Sequence, residues 1–220
     1  MYISLMKNYI ISNSKLTEDS FETIKNFYLN DDPAHDWLHI QRLLKQGIDF
    51  GTHLGASLSI LLPAILIHDI INIPKGSRLR SKASLLSANK TKELLGKTDY
   101  TDKEIESIAQ VVLEHSYSAN LPATSLESEI LQDIDKLDAM GAIGVMRWAA
   151  TSAKMKSKFY DEDNPWAEGR ELNDFQFALD HFETKLLKLE GRLNTEIAKK
   201  EGQKRLQFFY EFLSQLKAEI

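Results

Sequence analysis

The sequence contains no cysteine, and this absence limits the chemistry that the chain can perform. It excludes disulfides, thiolate metal ligands and thiol nucleophiles. A metal site would therefore have to use histidine and carboxylate side chains. Low-complexity tracts and internal repeats are also missing, and a hydrophobic content of 43% is ordinary for a globular protein. We expect one folded domain over residues 1–220.

Long hydrophobic runs are missing as well. The longest apolar run is Leu58–Ile67, which Ser59 and Pro63 interrupt. It is shorter than the roughly 20 residues that a membrane-spanning helix needs. The amino terminus shows no basic start followed by an apolar core and a small-residue cleavage site, so we expect no signal peptide. These observations predict no membrane partner and a cytoplasmic location.

An excess of positive charge is missing too. The formal net charge is −5 at pH 7 and the isoelectric point is about 5.7. Such a surface opposes general binding to nucleic-acid polymers and to anionic membranes. Any site for phosphate must therefore be local, which favours a small-molecule partner over a nucleic acid.

Helical periodicity occurs along most of the chain, as in Ile105, Ile108, Val111 and Val112, and we find no strong strand or Rossmann pattern. The predicted fold class is all-α. Asp32 and Pro33 suit an N-cap and first-turn pair, and the helix that they open is predicted to run to about Phe50. Further helices are predicted over about 58–70, 84–95, 102–114, 130–150, 175–189 and 196–218. The polar residues 160–174 predict a long surface loop.

Histidines and carboxylates recur on several of the predicted helices, at His35, Asp36, His39, His68, Asp69, His115, Asp133, Asp135 and Asp138. Two imidazoles with two carboxylates suit a five- or six-coordinate divalent metal such as Mn²⁺, Fe²⁺ or Mg²⁺, whereas zinc more often has a tetrahedral, sulfur- or histidine-rich set. An ionised Asp69 within an apolar helix is costly unless it is paired or bound to a metal. An isolated His-Asp pair is nevertheless more often satisfied by backbone hydrogen bonds at a helix end.

Four segments in order, HDWLHIQRLL, LIHDIINIPK, EHSYSA and LQDIDKLDAMGAIG, resemble the HD-domain metal-dependent phosphohydrolase superfamily. The tail DNPWAEGRELNDFQFALDHFETKLLKL also resembles the carboxyl-terminal part of a small stand-alone bacterial branch, so the resemblance covers essentially the whole chain. It implies a compact helical bundle of the HD type. The metal-site core would lie at about 20–150, and the remaining helices with a lid loop at 151–220.

The resemblance implies that His39, His68, Asp69 and Asp135 hold the metal. Mn²⁺, Fe²⁺ or Mg²⁺ is favoured, and Co²⁺, Ni²⁺ or Zn²⁺ is an alternative. His39 is chosen over His35, and Asp135 over Asp133, because they match the motif better. Asp69 would also be catalytic, by orienting the attacking water or accepting its proton.

Further residues are candidates for binding the substrate. Lys75, Arg78 and Arg80 follow the His-Asp pair, and cationic side chains there suit phosphate, with Lys75 also a catalytic candidate. A solvated basic loop is the alternative. The resemblance implies that His115 contacts phosphate or a second metal, unless it only caps a helix. Arg170, in the 160–174 loop, would pair with phosphate if that loop acts as a lid.

The predicted function is metal-dependent hydrolysis of a phosphate ester or anhydride in a small molecule, most plausibly a nucleotide. Two activities compete: a nucleoside triphosphate pyrophosphohydrolase and a nucleotide phosphatase. The alternative from another class is a regulatory module that binds metal and nucleotide with little turnover. The chain would be a monomer or a homodimer.

Overall fold

The protein is all-α in the part of the chain that its computed structural model describes, as predicted. The structure describes residues 2–29, 32, 34–73 and 77–220, with the main chain alone for 2–4. The helices are α1 (Tyr2–Ser12), α2 (Glu18–Asn26), α3 (Trp37–Leu54), α4 (Leu58–Ile67), α5 (Ala83–Leu95), α6 (Asp102–Glu114), α7 (Leu126–Asp138), α8 (Gly141–Met155), α9 (Asp180–Thr184) and α10 (Glu196–Glu219). Short 3₁₀ helices occupy Arg80–Lys82, Leu186–Lys188 and Glu190–Arg192. Within these described residues no strand forms beyond an isolated bridge between Lys158 and Phe177.

The chain divides into two compact units, Met1–Ile134 and Asp135–Ile220. The division falls within α7, so the first unit holds α1 to α6 and most of α7. The second unit holds the last residues of α7 and α8 to α10. The expectation of a single domain stays a prediction. Among the described residues, no helix combines the length and the apolar character needed to cross a bilayer.

Helix α4 is the centre of the first unit. Its residues 61–67 are all buried, and it packs against α3 and α6. Two glycines on α3 permit this approach: a methyl group on Gly47 would collide with Ile65 Cδ1, and one on Gly51 would lie 2.8 Å from Leu61 Cδ2. Because α3 lies so close, residues at the end of α4 can meet residues on α3.

The start of α3 differs from the prediction. The N-cap is Asp36 and not Asp32, because the Asp36 side chain accepts the main-chain N–H of His39 at 3.0 Å. Asp32 instead accepts the N–H of Ala34 at 3.2 Å, and Pro33 lies outside the described residues. The helix also continues past Phe50 to Leu54, where Gly55 ends it in a left-handed conformation.

The prediction of a helix at 102–114 is confirmed, including its cap. Thr101 accepts the main-chain N–H of Glu104, and the Glu104 side chain accepts the main-chain N–H of Thr101. This reciprocal capping box fixes where α6 begins. The far end of α6 carries Glu114 and His115.

The prediction of one helix from Ile130 to Ala150 is wrong. The chain leaves the helical conformation after Asp138, and Met140 is extended at φ −117° and ψ 163°. Gly141 follows with φ +67°, a conformation that side chains with a Cβ disfavour. α7 and α8 are therefore separate helices.

The prediction of a helix at 175–189 is also wrong. The main chain near Gln176 pairs with the segment before it, since Lys158 N–H donates to Gln176 O at 3.0 Å and Ala178 N–H donates to Lys158 O at 2.8 Å. These bonds use groups that a helix would need, so only the short α9 and the 3₁₀ helix at Leu186–Lys188 form there. The prediction of a closing helix at 196–218 is confirmed by α10, whose N-cap is Thr195.

Candidate metal centre

The rings of His68 and His115 are both oriented by main-chain carbonyl groups. His68 Nδ1 lies 2.8 Å from Ile65 O, and His115 Nδ1 lies 2.6 Å from Val112 O. A carbonyl oxygen only accepts hydrogen bonds, so each Nδ1 must carry the proton. In the neutral imidazoles the lone pair therefore stands on Nε2, which is the atom that each ring directs at Asp69.

The Asp69 carboxylate lies between these two rings. Its Oδ2 is 3.6 Å from His68 Nε2, and its Oδ1 is 3.5 Å from His115 Nε2. One ligand atom from each of the three residues falls within 4.8 Å of the others. Two imidazole nitrogens facing a carboxylate fit a divalent cation.

The pKa of Asp69 lies well below its usual range. Burial alone would raise this pKa, but when both rings are protonated on Nε2 as well, the positive charge of His68 and a hydrogen bond donated by His115 outweigh that effect. Asp69 is therefore a carboxylate at neutral pH. An ionised carboxylate is the form that binds a metal.

His39 and His35 lie in the same cluster of imidazoles as His68. The His39 ring is fully buried, and its centroid is 5.5 Å from that of His68 and 6.2 Å from that of His35. His35 Nδ1 lies 3.3 Å from Asp32 Oδ2, which also accepts a hydrogen bond from the Asn72 side chain. The choice of His39 as a ligand over His35 is an untested prediction, and their different partners are consistent with it.

Asp135 is the first residue of the second unit and lies in the last turn of α7. On this helix it directly follows Ile134, whose Cδ1 would be 3.3 Å from a methyl group on Gly47 of α3. Asp133 is fully buried, whereas Asp135 is partly exposed. The preference for Asp135 over Asp133 stays a prediction.

Comparison with known proteins identifies the family to which this arrangement belongs. The HD domain family model matches residues 37–140, a segment that includes His39, His68, Asp69, His115 and Asp135. The chain therefore contains an HD domain over these residues and is similar to HD-superfamily hydrolases of known structure. The family that the motifs resemble is thus confirmed.

Relatives of known structure share this HD fold. The Bacillus subtilis protein YpgQ is 27% identical over 198 residues, which are 90% of each chain. Its structure in complex with ADP has a TM-score of 0.70 at 26% identity and covers 91% of this chain and 97% of that one. The structure of a protein from Lactobacillus plantarum has a TM-score of 0.73 at 28% identity and covers 93% of this chain and 98% of that one. The structure of an HD-superfamily hydrolase from Bacillus thuringiensis has a TM-score of 0.66 at 26% identity and covers 97% of each chain.

The basic residues after the HD pair differ in their surroundings. Arg78 is exposed, whereas Arg80 is partly buried and donates to Asn72 Oδ1 at 3.1 Å and to Ile73 O. Arg80 therefore holds the main chain that follows Asp69. Lys75, the predicted catalytic and phosphate-binding lysine, lies outside the described residues.

Arg170 is held within the second unit of this HD protein. Its guanidinium donates two hydrogen bonds to the buried Asp180 carboxylate, at 2.6 and 2.9 Å, and lies 4.6 Å from the centre of the Phe177 ring. Asp180 also accepts the main-chain N–H of Asn173 at 2.7 Å. These contacts anchor the 160–174 segment, and the role of Arg170 in binding substrate is an untested prediction.

Glu114 is a supporting residue that sequence reasoning did not identify. Its buried carboxylate accepts hydrogen bonds from Gln110 Nε2 and from the N–H and hydroxyl of Thr124. Gln132 closes the same loop by donating to Glu114 O and Leu121 O. The loop that begins at His115 is therefore fixed at its base. The one available signal was an acidic residue directly before a candidate histidine.

Proposed function

We propose that this HD protein hydrolyses a phosphate ester or anhydride bond in a nucleotide. The observation that carries the proposal is the arrangement around Asp69, where Nε2 of His68 and Nε2 of His115 face one ionised carboxylate at 3.6 and 3.5 Å. Main-chain carbonyls occupy both Nδ1 atoms, so both Nε2 atoms are directed at this one carboxylate.

The proposed ligands are His39, His68, Asp69 and Asp135. His39 is supported by its burial beside His68, and Asp135 by its place on α7 and within the matched HD segment. His115 faces the same carboxylate, so we assign it to the substrate phosphate or to a second ion. Two imidazoles with two carboxylates favour Mn²⁺, Fe²⁺ or Mg²⁺ over zinc.

The chemistry follows from these groups. A bound divalent ion lowers the pKa of water toward neutrality and offsets charge on phosphoryl oxygens. The Asp69 carboxylate, which its low pKa keeps ionised, orients the attacking water by accepting a hydrogen bond from it. Arg78, and Lys75 beyond the described residues, supply positive charge for the substrate phosphates.

The proposed substrate is a nucleotide because a structure of YpgQ contains ADP. The substrate could be a nucleoside monophosphate or a nucleoside triphosphate, and the basic residues after the HD pair favour the substrate with more phosphates. A nucleoside triphosphate pyrophosphohydrolase is therefore preferred over a nucleotide phosphatase. The second candidate is a regulatory module that binds metal and nucleotide without turnover. The presence of ADP in the structure of YpgQ is compatible with this candidate as well.

The test is a screen of metal-stripped protein resupplied with Mn²⁺, Mg²⁺, Fe²⁺, Co²⁺, Ni²⁺ or Zn²⁺. Nucleoside mono-, di- and triphosphates are offered, and released phosphate and pyrophosphate are measured separately. Asp69→Asn removes the carboxylate, and Asp49→Asn, at an exposed position on α3, is the matched control. We expect metal-dependent turnover that Asp69→Asn lowers at least ~10²-fold and Asp49→Asn leaves unchanged.

The product decides between the two hydrolase activities. Pyrophosphate from triphosphates identifies the pyrophosphohydrolase, and phosphate from monophosphates identifies the phosphatase. Tight metal and nucleotide binding without turnover would favour the regulatory module. Turnover that survives Asp69→Asn would refute the role of this carboxylate.

A further inference from the structure

The carboxyl-terminal end of α4 is closed by an unusual set of donors. The last four carbonyl groups of a helix have no partner within it and need donors from elsewhere. Here all four are paired: Ala64 O with His68 N–H at 2.9 Å, Ile65 O with His68 Nδ1 at 2.8 Å, Leu66 O with Tyr28 Oη at 2.8 Å, and Ile67 O with Ile70 N–H at 3.2 Å. The turn that carries His68 and Asp69 supplies three of these donors, and Tyr28 supplies the fourth.

Tyr28 comes from a distant part of the sequence, between α2 and α3. The side chain is only 2% exposed, and its ring centroid is 6.4 Å from that of Trp37, the first residue of α3. Tyr28 thus contacts the start of the helix that carries His39 and the end of the helix that carries His68. A single side chain joins two of the segments that hold the proposed ligands.

The hydroxyl of Tyr28 is fixed as a donor. Burial raises its pKa well above the ordinary value, and the charge of Asp69 raises it further, while a backbone hydrogen bond with Asp69 acts in the opposite direction. A carbonyl oxygen only accepts hydrogen bonds, so the hydroxyl donates to Leu66 O. The backbone hydrogen bond also connects Tyr28 to the main chain of Asp69, so a change at Tyr28 acts on this turn as well as on the helix end.

We propose that Tyr28 is a positioning residue for the metal centre, which sets the orientation of His68 and Asp69 through the end of α4. This inference rests on the proposed function, since it assigns a role toward the same metal ligands. Without the hydroxyl, Leu66 O loses its donor and the turn that follows can change its orientation. Residues that orient metal ligands typically contribute about 10–100-fold in metal affinity.

A second tyrosine provides a matched control on the same helix. Pro63 has no N–H, so the carbonyl of Ser59 lacks the donor that a helix would normally supply four residues later. Tyr100 Oη donates to Ser59 O at 2.9 Å and replaces it. Tyr28 and Tyr100 therefore make the same bond to an otherwise unpaired α4 carbonyl, but only Tyr28 makes it beside the metal ligands.

The experiment compares Tyr28→Phe with Tyr100→Phe in the full chain. Mn²⁺ and Co²⁺ affinities are measured by competition with a chelator, and the visible spectrum of the Co²⁺ form reports ligand geometry. We expect Tyr28→Phe to weaken metal binding ~10-fold or more and to alter the Co²⁺ spectrum. Tyr100→Phe should lower thermal stability comparably but leave affinity and spectrum near the wild type.

Amide hydrogen exchange in the metal-free protein separates this inference from the proposed function. Faster exchange at His68 and Ile70 in Tyr28→Phe, but not in Tyr100→Phe, supports the positioning role. If the wild type binds no metal, the proposed function fails and the exchange result still decides whether Tyr28 orients this turn. Equal metal affinity and equal exchange in both variants would overturn the inference.

Discussion

Replacement of Glu114 by glutamine tests whether this buried carboxylate holds the loop that begins at His115. The Glu114 carboxylate accepts Gln110 Nε2 at 2.6 Å, Thr124 Oγ1 at 2.7 Å and Thr124 N–H at 3.0 Å. A glutamine carbonyl can retain the two bonds to Oε1, but its amide would then face the Thr124 N–H, so that donor meets donor. One unsatisfied buried donor costs about 1–3 kcal/mol, and the two remaining bonds lose the strength that charge gives them. We expect Glu114→Gln to lower the free energy of unfolding by about 2–4 kcal/mol.

The assay is urea denaturation at pH 7, with Glu106→Gln as the control. Glu106 lies on the same helix but pairs with Lys92 at the exposed surface. Glu106→Gln should therefore lower the free energy of unfolding by no more than about 1 kcal/mol. The pKa of Glu114 is lowered, since its hydrogen bonds outweigh the effect of burial, and the folded state therefore favours the ionised form. This stabilisation is present above the ordinary pKa of 4.5 and is lost as the pH falls through the lower folded value, so the gap between wild type and Glu114→Gln should narrow in acid. Equal losses in Glu114→Gln and Glu106→Gln would refute the anchoring role.

Three further changes test the second unit. Gly144→Ala places a methyl group 2.6 Å from the carbonyl carbon of Ala139, so urea denaturation should show a loss of about 1–3 kcal/mol, whereas Gly191→Ala, which has open space, should show none. Arg170→Ala removes the two bonds to a carboxylate that is 3% exposed and should cost about 2–4 kcal/mol in the same assay; a loss below 1 kcal/mol would argue against the anchor. Burial raises the pKa of Asp180, but the hydrogen bonds from Arg170 outweigh this effect and lower the pKa below 3.8. The stability that the ionised Asp180 contributes is therefore lost as the pH falls below that value. The melting temperature of Asp180→Asn should therefore fall less between pH 5 and pH 3 than that of the wild type.

The order of motifs predicted the HD domain, because the motif residues are read directly from the chain, while the assignment of those residues to a metal site stays a prediction. The sequence placed His68 and Asp69 near the end of an apolar helix, and α4 ends at Ile67. The supporting contacts could not be predicted in the same way. Tyr28 donates to a carbonyl 38 residues away, and Glu114 accepts from a loop 10 residues away, so neither contact leaves a local pattern.

The predicted helix boundaries were wrong at two places where the apolar spacing alone favours a longer helix. Periodicity continues from Ile130 to Ala150, yet the chain breaks at Met140 and Gly141. A glycine within a helical pattern is compatible with either a helix or a break, and only its positive φ angle distinguishes them. Around Gln176 the apolar spacing likewise favours a helix, but pairing with Lys158 uses the main-chain groups first.

The position of the HD pair at the end of α4 explains why adjacent residues can act together. Successive side chains in an α-helix point about 100° apart, so His68 and Asp69 would diverge if the helix continued. Because α4 ends at Ile67, Asp69 lies in a turn and its two oxygens reach Nε2 of His68 and Nε2 of His115. An apolar helix buries the segment, and its end delivers the polar pair to the site. In our proposal, the donors that close this end of α4 position the candidate metal ligands that follow it.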